Sequence, residues 1–169
     1  ACSVAKEKGV VVNTIFCGDF NEGINTNWKD GADITGGSYM SIEQNRRTVY
    51  IATPYDKRID ECNERLNNTY IYYGSSGESK KALQSTQDRN AESYGQANKA
   101  ERAISKSSHA YKNSSWDLVD AAKDDEKVIT ETKAEELPSE MRNMSTAERK
   151  AYVIKKSQER AAIQKEIQD

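Results

Sequence analysis

The chain has no long apolar run, one histidine, two prolines, two phenylalanines and three cysteines among its 169 residues. Each scarcity removes a class of answer. No stretch approaches the roughly 18–20 apolar residues that cross a bilayer as a helix. The lone histidine, His109, leaves a single conceivable base for a Ser/His/Asp or Cys/His machine. Ser107 and Ser108 beside it are neighbours in sequence, which makes no catalytic geometry, and an ordinary exposed or half-buried imidazole is the simpler reading. Cys2, Cys17 and Cys62 are odd in number and lack C-x-x-C spacing, so they indicate neither a zinc site nor a disulfide framework. Excess charge of one sign is missing too. Lys and Arg number 25 against 27 Asp and Glu, a net charge of −2, whereas a dedicated nucleic-acid binder carries a basic stripe.

What is present centres on Gly9 to Gly37. Val10 to Phe16 is an almost continuous apolar run of the kind that forms a strand covered on both faces, as in a parallel sheet. Before it, Ser3 to Lys8 reads as the end of a helix, and Gly9 sits where a left-handed residue closes one. Helix, glycine and buried strand make the second half of a crossover unit. With no Met at the start and a helical pattern still running at Asp169, the chain reads as an internal or C-terminal piece with an incomplete sheet. The expected fold class is α/β, the C-terminal part of a doubly wound, mostly parallel sheet, followed by an α-helical extension. In such sheets ligands gather beyond the carboxyl ends of the strands, where Asp19 and Glu22 fall. They could meet a cation or a partner, or stand as solvated loop acids. Thr26 to Ile34 reads as a short helix capped by Thr26, with Trp28, Ala32 and Ile34 inward. Gly36 and Gly37 end it, and Ser38 to Ile42 forms a second strand. The glycine pair lacks the companions of a phosphate loop.

The order AKEKGVVVNTIFCG, short helix, ADITGGSYMSI resembles the last two strands of a von Willebrand factor A domain. Downstream, LNNTYIYYG, QDRNA and NSSWDLVDA resemble a bacterial subgroup of such proteins with a helical extension. The resemblance covers about residues 1–73 for the A-like part. It implies a metal-ion-dependent adhesion site, where hydroxyls and carboxylates give Mg²⁺ its oxygens. That site begins with a D-x-S-x-S motif, which this sequence lacks, so no metal residue carries over. Mg²⁺ would belong to a longer domain, and no cofactor is expected here. The resemblance also suggests the periplasm or cell surface.

Arg46 to Ala52 reads as an edge strand or extended connection. Thr53-Pro54-Tyr55-Asp56 then starts a helix, with a capping hydroxyl, Pro at the first position and an acid at the third. It is expected to run to Tyr73, with Tyr55, Ile59, Cys62, Leu66 and Tyr70 covering a sheet. Tyr70, Tyr72 and Tyr73 could make a stacking platform, but without a basic groove they read as packing. Gly74 to Gly77 marks a boundary between residues 1–73 and a charged helical extension at 78–169. There Glu78 to Ser107 reads as one helix resting on something through Leu83, Tyr94 and Ile104, weakened at Gly95. Trp116, after a capping serine, is expected to anchor the extension. Lys123 to Glu136 reads as a solvated connection around Val128 and Ile129. Ser145 and Glu148 form a capping box, and the helix to Asp169 shows Ile154, Ala161 and Ile167 too sparsely for a broad core face.

No nucleophile–base pair or carboxylate pair stands out, so no catalytic, cofactor-binding or metal residue is assigned and an enzyme is the poorest of three readings. The first is a non-catalytic, adhesion-type module that binds a protein partner. The alternative is a structural tether or oligomerisation element acting through the extension. Taken alone, the strand Val10–Phe16 is expected to expose its apolar face and leave the chain molten or prone to aggregate.

Overall fold

Helix α1 (Cys2–Glu7) opens the chain and closes at Gly9, whose φ of 69° is a left-handed value that glycine adopts without a Cβ clash. Strand β1 (Thr14–Cys17), helices α2 (Phe20–Asn25) and α3 (Trp28–Thr35) and strand β2 (Tyr39–Ile42) follow. The computed structural model describes residues 1–43 and 49–169, which fall into two compact units, Ala1–Thr48 and Val49–Asp169. In the first unit β1 and β2 pair in parallel, with Thr14 opposite Tyr39 and Cys17 opposite Ile42. The two short helices between them form the crossover that a parallel pair needs.

That sheet is shorter than the sequence suggests. Val10 to Val12 lie outside β1, and Val10 and Val11 are exposed. Among the described residues their stretch has no strand opposite, because β2 starts only after the Gly36–Gly37 turn; Val12 instead donates its N–H to Thr35 Oγ1 at 2.9 Å. Nor does Thr26 cap α3. Its hydroxyl donates back to the Glu22 carbonyl at 2.7 Å and closes α2, while Asn27, at φ 66°, starts α3. Of the expected inward stripe, Ala32 is buried whereas Trp28 and Ile34 remain largely exposed.

The second unit is helical: α4 (Asp56–Asn67), α5 (Gly77–Ser93), α6 (Gln96–Ser107), α7 (Leu118–Asp124), α8 (Val128–Glu131) and α9 (Thr146–Gln168), with two 3-10 turns before α9. The expected doubly wound sheet is therefore overturned: 62% of the structure is helical, and among the described residues the sheet has two strands. The reason is visible in α4. Its apolar stripe, Cys62 and Leu66, covers no sheet but packs against α6 and α9, and joins Tyr70, Trp116 and Ile163 in one core cluster. The helix starts later than expected, at Asp56 after Tyr55 and without a capping side chain; Thr53 lies before it, with its Oγ1 donating to Asp56 Oδ1 at 2.7 Å. The helix ends at Asn67, residues 68 and 69 form a turn, and Tyr72 makes an antiparallel bridge to Asp117. Of the edge strand or extended connection expected at 46–52, residues 46–48 lie outside the described residues, and 49–52 form no strand.

The single helix expected at 78–107 is two, broken at Gly95, whose φ of 118° and extended ψ suit glycine alone. Consequently α5 and α6 pack on each other. Residues 123–136 are no solvated connection: Ile129 on α8 is buried, in a second cluster with Ile71, Leu118, Val119, Leu137, Met141 and Val153. The capping box is present, Ser145 donating its N–H to Glu148 at 2.7 Å and accepting from the Glu148 N–H at 3.3 Å. Among the described residues, no helix is long and apolar enough to cross a membrane.

Candidate functional site

Side chains alternate across a strand, so β1 and β2 present two different faces. One carries Thr14, Phe16, Tyr39 and Ser41 and is covered by α2 and α3. Phe16 packs on Trp28 with ring centroids 5.7 Å apart, and Phe20 on Tyr39 at 5.1 Å. The Thr14 hydroxyl donates to the Trp28 carbonyl at 2.7 Å and the Tyr39 hydroxyl to the Phe20 carbonyl at 2.8 Å. Gly23 allows this closeness, since a Cβ there would lie 1.9 Å from the Tyr39 hydroxyl. The opposite face carries Ile15, Cys17, Met40 and Ile42, with Ile15 opposite Met40 and Cys17 opposite Ile42. Ile15, Met40 and Ile42 are 50%, 58% and 55% exposed. Parallel sheets are ordinarily buried on both faces. This apolar face, without cover among the described residues, is the candidate functional surface.

The acids expected at the end of β1 have another task. Asp19 caps α2, accepting from the N–H groups of Asn21 at 2.8 Å and Glu22 at 3.0 Å. Glu22 lies in the first turn of that helix, where an acid suits the positive end. His109 is exposed, and the Ser107 hydroxyl donates to the Ile104 carbonyl at 2.8 Å instead of meeting an imidazole. Cys17 is exposed, Cys2 half-buried and Cys62 buried, and burial pushes the Cys62 thiol above its ordinary range. Trp116 is buried, stacked on Tyr70 at 5.8 Å, and so stands in the core of its own unit; it lies in the turn before α7, which is capped by Asp117 and not by a serine. Of the other tyrosines, Tyr73 donates its hydroxyl to the Ser114 carbonyl at 2.6 Å and Tyr72 is half-buried. The three do not form an open platform.

Two buried polar networks had no sequence signal beyond an Arg and a Lys in charged helices. Arg160 of α9 is almost fully buried, lies 4.1 Å over the Tyr70 ring, and donates to Asp117 Oδ2 at 2.6 Å and Asp120 Oδ1 at 3.0 Å. It also donates to the Thr69 hydroxyl at 3.0 Å and the Thr69 carbonyl at 2.9 Å. Asp117 accepts in addition from the N–H groups of Ile71 at 2.8 Å and Asp120 at 3.0 Å. In the second network, buried Lys106 donates to Asn63 at 2.7 Å, Asn67 at 2.5 Å and Asp88 at 2.6 Å, which uses all three of its donors. Burial opposes the charge of Asp88, but hydrogen bonds from Lys106, Asn67 and Arg102 and the charge of Lys106 hold its carboxyl below the usual aspartate range. Both networks are closed on themselves and tie helices together.

Among the described residues, no group of three or more His, Cys, Asp or Glu side chains is arranged to hold a metal ion. Compared with known proteins, the chain matches no family model, no curated protein and no solved structure.

Proposed function

We propose that the chain acts as a non-catalytic protein-binding module whose docking surface is the open sheet face of Ile15, Cys17, Met40 and Ile42. The observation that carries this reading is the pairing of apolar residues across a parallel sheet with one face uncovered among the described residues. Completing the burial of Ile15, Met40 and Ile42, each already about half covered, is worth roughly 1 kcal/mol apiece. That gain favours a partner that presents a matching apolar surface. The resemblance to von Willebrand factor A domains points to the same class of role, with a site on the cell surface or in the periplasm. The tether reading has less support, because α9 already buries Val153, Arg160 and Ile163 inside its own unit.

A photo-crosslinking residue placed at Met40, with a control at exposed Asp33 on α3, tests the reading in extracts of the source cells. The expected result is a discrete adduct from position 40 alone, competed by unlabelled protein and lost when Ile42 becomes Lys. Adducts equally frequent from both positions, or unaffected by Ile42→Lys, would overturn it.

A further inference from the structure

Within the second unit, a cleft of about 430 Å³ lies between the end of α6, the loop leading to α7, and α9. This is at the lower end of the range for small-molecule sites. Its ionisable lining is unbalanced. Lys112, Lys123, Arg160 and Lys165 face Asp120 and Asp124, an excess of two positive charges in a chain whose net charge is −2. Both acids are already engaged. Asp120 accepts from Arg160 and Lys123, each at 3.0 Å, and from the Asn113 N–H at 3.0 Å; Asp124 accepts from the Ser114 hydroxyl at 2.9 Å. Lys112 and Lys165, by contrast, form no ion pair among the described residues. The cleft also includes Tyr70, whose ring is buried while its hydroxyl reaches the cleft and makes no hydrogen bond among the described residues. A hydroxyl at the cleft wall that makes no hydrogen bond within the protein is free to donate to a ligand. Burial raises the Tyr70 pKa, so near neutral pH the group is a phenol able to donate.

We propose that this cleft binds a small anion bearing a carboxylate or phosphate group, which Lys112 and Lys165 neutralise and to which the Tyr70 hydroxyl donates. Arg160, held by Asp117, Asp120 and Thr69, supplies positive potential without being released from its own bonds. The site is separate from the open sheet face and does not depend on protein docking there.

The test is titration of the full chain with inorganic phosphate and with citrate, against chloride at matched ionic strength, followed by amide chemical shifts. Saturable shifts at Ser107 to Lys112 and Gln164 to Gln168 are expected, with Kd of about 0.1–1 mM for the preferred anion. A response to phosphate or to citrate alone supports the site and assigns its anionic group. Lys112→Gln and Lys165→Gln should each weaken binding about tenfold, as loss of a charge-assisted bond does. Tyr70→Phe, which keeps the ring in the core, should weaken it with little change in unfolding midpoint. No saturation by about 10 mM of either probe, or equal affinity in the Lys112→Gln/Lys165→Gln double variant, would overturn the proposal.

Discussion

Arg160 shows how much one side chain can hold. Its guanidinium ties α9 to the segment at Thr69 and to the start of α7, and every one of these bonds lies out of water. Removing one partner leaves Asp117 buried and uncompensated, which costs about 3–5 kcal/mol. Arg160→Met is therefore expected to lower the urea midpoint of the second unit by that equivalent, whereas Lys155→Met, on the exposed side of the same helix, should change it by less than about 0.5 kcal/mol. Asp88 gives the unit an acid limit. Its folded pKa lies below the unfolded value, so its contribution is present above the ordinary aspartate range and is lost as pH falls through the depressed folded value. Glu148 acts in the same direction, held low by hydrogen bonds from the Ser145 hydroxyl and N–H. Acid unfolding followed by circular dichroism should begin below the ordinary carboxylate range, and Asp88→Asn should flatten that limb.

At the scale of the element, α5 and α6 show where periodicity misleads. Leu83, Tyr94 and Ile104 recur at helical steps, yet they are 56%, 80% and 45% exposed. The packed side of this pair is the polar one, carrying Gln84, Asp88, Arg102 and Lys106. Apolarity identifies a buried face only when the buried contacts are apolar; here ion pairs and amides supply them. Leu83→Ser should accordingly alter stability by less than about 0.5 kcal/mol. Leu66→Ala, in the core of α4, should cost about 2–5 kcal/mol. Chemical denaturation of the two variants distinguishes the faces directly. Local signals fared better where they depend on adjacent residues. The Ser145–Glu148 box and the glycine after α1 lie where the sequence places them.

Over the whole molecule, the two units differ in what holds them. Both apolar clusters belong to residues 49–169, while among the described residues the first unit buries little beyond Ala32 and Gly23 and has one sheet face uncovered. Stability is uneven within a chain, and few buried contacts mean low local stability. Amides of β1 and β2 are thus expected to exchange with solvent faster than those of Leu66, Leu118 and Val153, measured by native-state hydrogen exchange; equal protection would refute the difference. The sequence by itself determined the Ser145–Glu148 capping box, the glycines that close α1 and α3, two short strands near their observed places and most of the helical segments, because each depends on residues within one or two turns. Only the tertiary structure decided that Val10–Val12 lies outside β1, that Gly95 splits a long helix, that Ile129 is core, and that a buried arginine and a buried lysine bind the helices. Those outcomes depend on partners tens of residues away, and one sequence records the groups able to bond without recording which of them meet.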